Sequence, residues 1–468
     1  NTSGEYREIY GSFGYYYTPG LNTESLALWR DREDFELGWK FLMMQLMSIA
    51  ELGVEKQEVI TEASVSSYMR TIPSFLEEYT IPKPSLKRAA KKSDFSNFTS
   101  SQAEDLLETA DEFWRKDQKA TALNYLTEQV EGFSGADLAL INHRRGYYAL
   151  HLGDQAAAEH SFRIVRFSSS PNVNALKADA AMRLGALAIR RKSHVEALQH
   201  FSSVALGKIE ADAATLQEAQ FRTAALLHKL AHSSEAKRFY ASLSEYAIQP
   251  EQRTKAALEL IGITFAEAKG EYGEILEGEK TSLLRETRQL ATDLVASPSA
   301  SPRIAAIAEL MHLETHFYDG NHDLLIAEAS AFQVKWEDWR DKLHEWNNNT
   351  EGDDTRNWNG DRQLITAKTY AVLSAARLQS HDLVVRLCRE IRATFDESDA
   401  YESMNCFAYS WLYEAFALKN LGREAEALNC LKTLRENYPS WFSRFAKAEA
   451  RELGIETRWI SQRGLLKE

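Results

Sequence analysis

Two histidines four residues apart, His312 and His316 in MHLETHFYDGNHD, stand with His322 and Asp323 just behind them. On a helix that spacing puts both imidazoles on one face, which is how a helix offers ligands to zinc. His228 and His232 repeat it elsewhere. A second cluster is rich in oxygen donors: Asp353, Asp354, Asn357, Asn359 and Asp361 lie within WNNNTEGDDTRNWNGD, residues 346–361. Hard cations such as calcium prefer such donors. With Gly360 set on the glycine of an EF-hand loop, however, the first ligand position is Thr355 and the last is Thr366. The bidentate glutamate is missing, so the stretch reads as an exposed polar insertion. Nucleophile elbows, phosphate loops, dinucleotide glycine runs and H-E-x-x-H are absent from the sequence. Glu77 and Glu78 are adjacent, so on a helix they diverge by about 100° and cannot flank one bond. No catalytic residue, no cofactor and no resident metal is expected.

The elements that position these groups are helices. The 468 residues contain only 9 Pro and 22 Gly, and Ala, Leu, Glu, Lys and Arg dominate most of the length. A chain this long outgrows a single core, so it is several domains or a solenoid that extends by adding units. The net charge of −13 argues against bulk nucleic-acid binding, because such a field repels a phosphate backbone. Three cysteines, Cys388, Cys406 and Cys430, fit neither a disulfide framework nor a zinc knuckle and read as buried thiols. The longest apolar run, Phe41 to Ala50, is too short to cross a bilayer. The chain begins at Asn1, which reads as a processed or trimmed product. Cytoplasmic and periplasmic or secreted locations, the latter with a signal peptide already removed, both stay open.

From about residue 103 a repeat frame takes over. Its clearest unit is Trp411 to Pro439, two amphipathic stretches joined at Gly422, with Ala415 and Ala427 on small columns and Pro439 as the stop. MRLGALAIRRKSHVEALQHF carries Leu184-Gly185, Ala197 and Phe201 in the same register. Gly146, Ala158 and Phe162 repeat it, as do Ala224, Ala236 and Tyr240, while Ala110 and Ala122 mark the first unit. This pattern resembles the tetratricopeptide repeat, W-x2-L-G-x2-Y then A-x3-F then P. Small residues belong where the two helices of a unit cross closely, and the aromatic fills the space against the following unit. Turns set at Asp117, Gly153, Lys192, Ala231, Gly270, Gly320, Gln379 and Gly422 imply eight units spaced by 36, 39, 39, 39, 50, 59 and 43 residues. In this frame His312 and His316 fall on core-facing columns, a satisfied core pair rather than a metal face.

The resemblance implies an all-α fold, a right-handed superhelical α-solenoid of helix-turn-helix repeats with an N-terminal helical cap. Residues 1–82 form a Tyr-rich segment and that cap, and 83–102 a basic linker. Residues 103–296 hold repeats 1–5, the Ser/Pro stretch 297–305 is a break, and 306–441 hold repeats 6–8 with the insertion 346–361. Residues 442–468 are a capping helix and tail.

In proteins of this family the first helix of each unit faces the inside of the superhelix, where partners bind. The position two after the Tyr column runs Arg115, His151, Arg190, Lys229, Ala268, Tyr318, Arg377 and Asn420. Trp114, Tyr147, Phe221, Phe317, Tyr409 and Phe416 lie beside it. Cations interleaved with aromatics suit an acidic protein or peptide through charge-assisted hydrogen bonds, or a glycan through stacking. The expected function is a non-enzymatic scaffold that binds a protein or acidic ligand. The alternatives are an envelope or secreted accessory protein that binds or exports polysaccharide, and an enzyme with a site between residues 1–80 and the array.

Overall fold

The structure, a computed structural model, describes residues 81–83, 99–230, 232–271, 275–349, 361–395 and 404–438. The Tyr-rich segment and cap, nearly all of the basic linker, most of the polar insertion and the tail from 439 lie outside the described residues. Everything regular in the described part is helical: α1 Ser101–Arg115, α2 Lys119–Gln129, α3 Gly135–His151, α4 Gln155–Arg166, α5 Asn174–Arg190, α6 His194–Ala205, α7 Ala213–Lys229 and α8 Ser233–Tyr246. There follow α9 Pro250–Ala268, α10 Glu277–Ala296, α11 Pro302–Tyr318, α12 His322–Asn349, α13 Asp361–Arg377, α14 His381–Thr394, α15 Met404–Asn420 and α16 Glu424–Asn437. Helices α1 to α8 and α11 to α16 pair in order into antiparallel hairpins, so the described part is an all-α array of helix-turn-helix repeats.

Local chemistry explains where the helices start. Ser100, Asp154, Asp212 and Ser301 each accept a hydrogen bond from a backbone N–H in the first turn of α1, α4, α7 and α11. Each such cap is worth about 1 kcal/mol. The ends are equally specific. Asp117, Gly153, Lys192, Gly270, Gly320, Gln379 and Gly422 all sit at positive φ, between 57° and 82°. Behind Asp117, Gly153, Lys192, Gly320, Gln379 and Gly422 the next N–H reaches back to the carbonyl five residues earlier, as in Asp154 to Ala149 at 2.9 Å and Arg423 to Leu418 at 2.8 Å. This is the double closure that satisfies the orphan carbonyls of a helix end. Ala231 lies outside the described residues, but His232 makes the same bond to Leu227 at 2.8 Å.

The described residues fall into two compact units that divide inside α9, between Ile263 and Thr264. The first reaches to Ile263 and includes Glu271; the second takes 264–270 and the chain from Ile275 onward. The Ser/Pro stretch lies within the second unit, where Ser297 ends α10, Ser301 caps α11 and Pro302 opens it. Proline is tolerated there because the first helical N–H has no intrahelical partner to lose.

The first unit is held by small-residue crossings. A methyl group added to Gly146 would stand 2.7 Å from the Phe162 ring, and one added to Gly185 only 2.6 Å from Phe201. Both rings are fully buried. The aromatic column thus packs into the crossing of its own hairpin as well as closing the repeat. In the second unit one continuous apolar cluster runs from Ala305 to Tyr438 through α11 to α16.

Candidate partner-binding face

Within each unit the first helices of successive hairpins touch: α1, α3, α5 and α7 in one, α11, α13 and α15 in the other. These are the helices that carry the residues singled out from the sequence.

In the first unit Trp114, Tyr147 and His151 come together at the ends of α1 and α3. The ring centroids of Tyr147 and His151 are 4.5 Å apart, and those of Trp114 and His151 are 5.8 Å apart. Beneath them Trp114 stacks flat on Tyr148 at 4.1 Å, with 3° between the planes. Tyr148 is buried, and its hydroxyl donates to Asp111. Burial pushes the Tyr148 phenol well above its ordinary range, and the Asp111 carboxylate adds to this. Arg144 approaches Asp111 at 3.4 Å. Next to this group His143 and Arg183 both contact Asp179 at 2.7 Å, and Arg183 lies over the Tyr147 ring at 5.4 Å. Burial raises the Asp179 carboxyl, but the bonds from His143 and Arg183 together outweigh it and hold the group below its usual range. The sequence reading did not include Asp111, Tyr148, His143, Asp179 and Arg183. A signal was present, since Asp111, Tyr148 and Arg144 stand within one helical turn of residues already named.

The three cations and the histidine of this column remain at the surface. Arg115, His151, Arg190 and Lys229 are all exposed on α1, α3, α5 and α7. Lys229 is held below its ordinary range by partial burial and then by Lys192. Phe221 is half-buried, edge-on to Tyr240 at 5.5 Å, and does not join the Trp114 group.

In the second unit Phe317 and Tyr318 stand at the end of α11. Phe317 is surrounded edge-on by Tyr318, His322 and Tyr370 at 5.4–5.6 Å, and Tyr318 meets Phe265 at 5.5 Å. Arg377 is exposed. Tyr409 is half-buried beside Tyr413 at 5.9 Å. Phe416 is different. At 2% exposure it belongs to the apolar cluster of the second unit and offers no surface to a partner. Nor is the histidine pair a satisfied one: neither ring nitrogen of the buried His316 has a hydrogen-bond partner. Cys388 and Cys430 are buried and Cys406 is partly so, and burial raises all three thiols, Cys430 to about 11.

Hairpins closed by left-handed turn residues, with a small residue on the first helix pressed by an aromatic from the second, are the tetratricopeptide arrangement. The described hairpins have the arrangement that the tetratricopeptide-like pattern of the sequence implies. No protein-family model and no curated protein matches it. Among solved structures it is similar to a signal-transduction ATPase with numerous domains, carrying a tetratricopeptide repeat sensor, from Pyrococcus horikoshii. That likeness has 13% identity, a TM-score of 0.42, and covers 85% of this chain and 55% of that one. The P58(IPK) TPR domain is matched at 17% identity and a TM-score of 0.21, over 75% of this chain and 98% of that domain. The chain thus spans about half the length of the ATPase. The repeat arrangement rests on the hairpins themselves, and neither likeness bears on family or activity. No described helix is long and apolar enough to cross a membrane.

Proposed function

We propose that this repeat protein is a binding scaffold whose first-helix face, in the first unit, holds an acidic segment of a partner protein. One observation carries the reading: Arg115, His151, Arg190 and Lys229 stay exposed on four consecutive first helices. The acids packed among those helices are already engaged, Asp111 by Tyr148 and Arg144, and Asp179 by His143 and Arg183. Exposed cations on successive helices favour a partner that brings its own carboxylates. Stacking of a sugar is less well served. One face of Trp114 is covered by Tyr148, and Phe317 is ringed by other aromatics.

The test is fluorescence anisotropy with a labelled Glu/Asp-rich peptide and the full chain, at two salt concentrations. The triple variant Arg115→Glu, Arg190→Glu and Lys229→Glu is expected to bind at least about tenfold more weakly at low salt, the difference shrinking as salt screens it. Equal affinity in the variant, or affinity indifferent to salt, sinks the proposal. Arg238→Glu, exposed on the second helix α8, serves as the control that leaves binding unchanged.

A further inference from the structure

The hairpin formed by α11 and α12 holds a side-chain cluster that the proposed binding face does not use. His312 and His316 lie one turn apart on α11, and Glu328 reaches them from α12. Glu328 Oε2 is 3.6 Å from His312 Nε2 and 3.2 Å from His316 Nε2. One donor atom from each of the three residues lies within 4.8 Å of the other two. A tetrahedral zinc ion with bonds of about 2.0–2.1 Å sets its donors roughly 3.3 Å apart. The two histidine-to-carboxylate separations fit that spacing.

Two further observations set this cluster apart from a common buried His–Glu pair. The first is His316 itself. It is 5% exposed, and neither ring nitrogen has a hydrogen-bond partner, although the Glu328 oxygen is in range of one of them. Leaving such a group unsatisfied costs about 1–3 kcal/mol. The Glu328 oxygen and the His316 nitrogen thus stand close without being hydrogen-bonded to each other.

The second is the hold on His312. The Thr292 hydroxyl donates to the Arg288 carbonyl at 2.8 Å, so its single proton is used. It can therefore only accept from His312 Nδ1, 3.3 Å away. That places a proton on Nδ1 and turns Nε2 toward Glu328. Metal-binding histidines are oriented in this way by an outer partner on the other nitrogen. Arg288, a cation that would oppose a bound ion, is paired with Asp319 at 3.0 Å.

We infer that His312, His316 and Glu328 form a site for one divalent transition-metal ion of the zinc type, clamping α12 onto α11. Two imidazoles and a carboxylate suit zinc and its neighbours, whereas calcium and magnesium take all-oxygen shells. Three protein donors leave a coordination position for water or for a group from a partner. The site lies wholly in the second unit and stands whether or not the acidic-peptide reading does.

The test uses the full chain without a histidine tag, freed of metal by chelation and titrated with Co²⁺. The expected result is one Co²⁺ per chain, with the visible absorption of low-coordinate cobalt, displaced by Zn²⁺. Glu328→Gln should abolish the visible band. His312→Leu, which puts leucine on the leucine column of the repeat, should do the same with helicity unchanged by circular dichroism. Thr292→Val should weaken binding by about tenfold. Absence of Co²⁺ uptake by the wild-type chain overturns the site, as does equal affinity in the Glu328→Gln and His312→Leu variants. If a variant misfolds, the zinc X-ray absorption edge of the wild-type chain decides alone, since a shell without two imidazoles excludes the site.

Discussion

The two units solve the same packing problem with opposite distributions of side-chain volume. In the hairpins α3–α4 and α5–α6 the crossing positions are Gly146 with Ala158 and Gly185 with Ala197, and the filling positions one turn later are Phe162 and Phe201. In α11–α12 and α13–α14 the crossing positions are Leu313 with Leu325 and Val372 with Val384, and the filling positions are Ala329 and Cys388. All of the side chains at these positions are buried in both units. Each crossing is filled, because interiors tolerate neither voids nor overfilling. Where the volume sits has been exchanged. A hairpin can therefore keep its turns while losing the motif, and the last hairpin, with Ala415, Ala427 and Leu431, returns to the small-crossing type.

The sharpest way to break this comparison is to remove the filling residue in each unit. Phe201→Ala should cost about 3–5 kcal/mol, read as faster hydrogen exchange across α5 and α6, whereas Cys388→Ala should cost only about 1 kcal/mol across α13 and α14. Equal losses would mean that the exchange of volumes is not what holds the crossings.

Acid should distinguish the first unit next. His200 on α6 is 12% exposed at its side chain, and burial, then Arg166 and Arg163, lower its pKa to about 4. Between pH 6.5 and 4 the unfolded chain takes up a proton there that the folded chain refuses, so stability falls as pH falls through that window. Over about 2.5 pH units this amounts to something on the order of 3 kcal/mol. His200→Gln should flatten the denaturant midpoint of the first unit across that window, and an unchanged slope would refute the assignment.

The smallest effect separates local preference from packing. Gly185→Ala gains about 1 kcal/mol of helix propensity but pushes a methyl into Phe201, a buried ring with nowhere to swing, at an overpacking cost of about 1–3 kcal/mol. The variant should be less stable by up to about 2 kcal/mol, and adding Phe201→Leu should restore part of the loss. A Gly185→Ala chain more stable than the wild type would show that the ring yields.

How far the sequence could be read follows from the same contrast. Turn positions were legible even at Asp117, Lys192 and Gln379, which are not glycines, because the following Gln, Ser and Ser must begin a new helix and the apolar spacing breaks there. The small columns of the first unit were legible because glycine inside a helix is costly and needs a reason. In the second unit, Leu313 and Leu325 carry no such mark, so the volume exchange was invisible. Phe416 was misplaced for a related reason: a position beside the binding column and one on the core differ by a rotation smaller than the irregularity of a 43-residue repeat.

By itself the sequence determined the helices, their turns and which cations stay in water, since these follow from neighbours a few residues apart. Only the tertiary structure decided which charges are already neutralised and which donors converge. Asp179 is quenched by His143 from α3, a helix away, and Glu328 comes to His312 and His316 from across a hairpin. Such pairings depend on how two helices rotate against each other when their crossing closes, and that angle is set by summed side-chain volume rather than by any local signal.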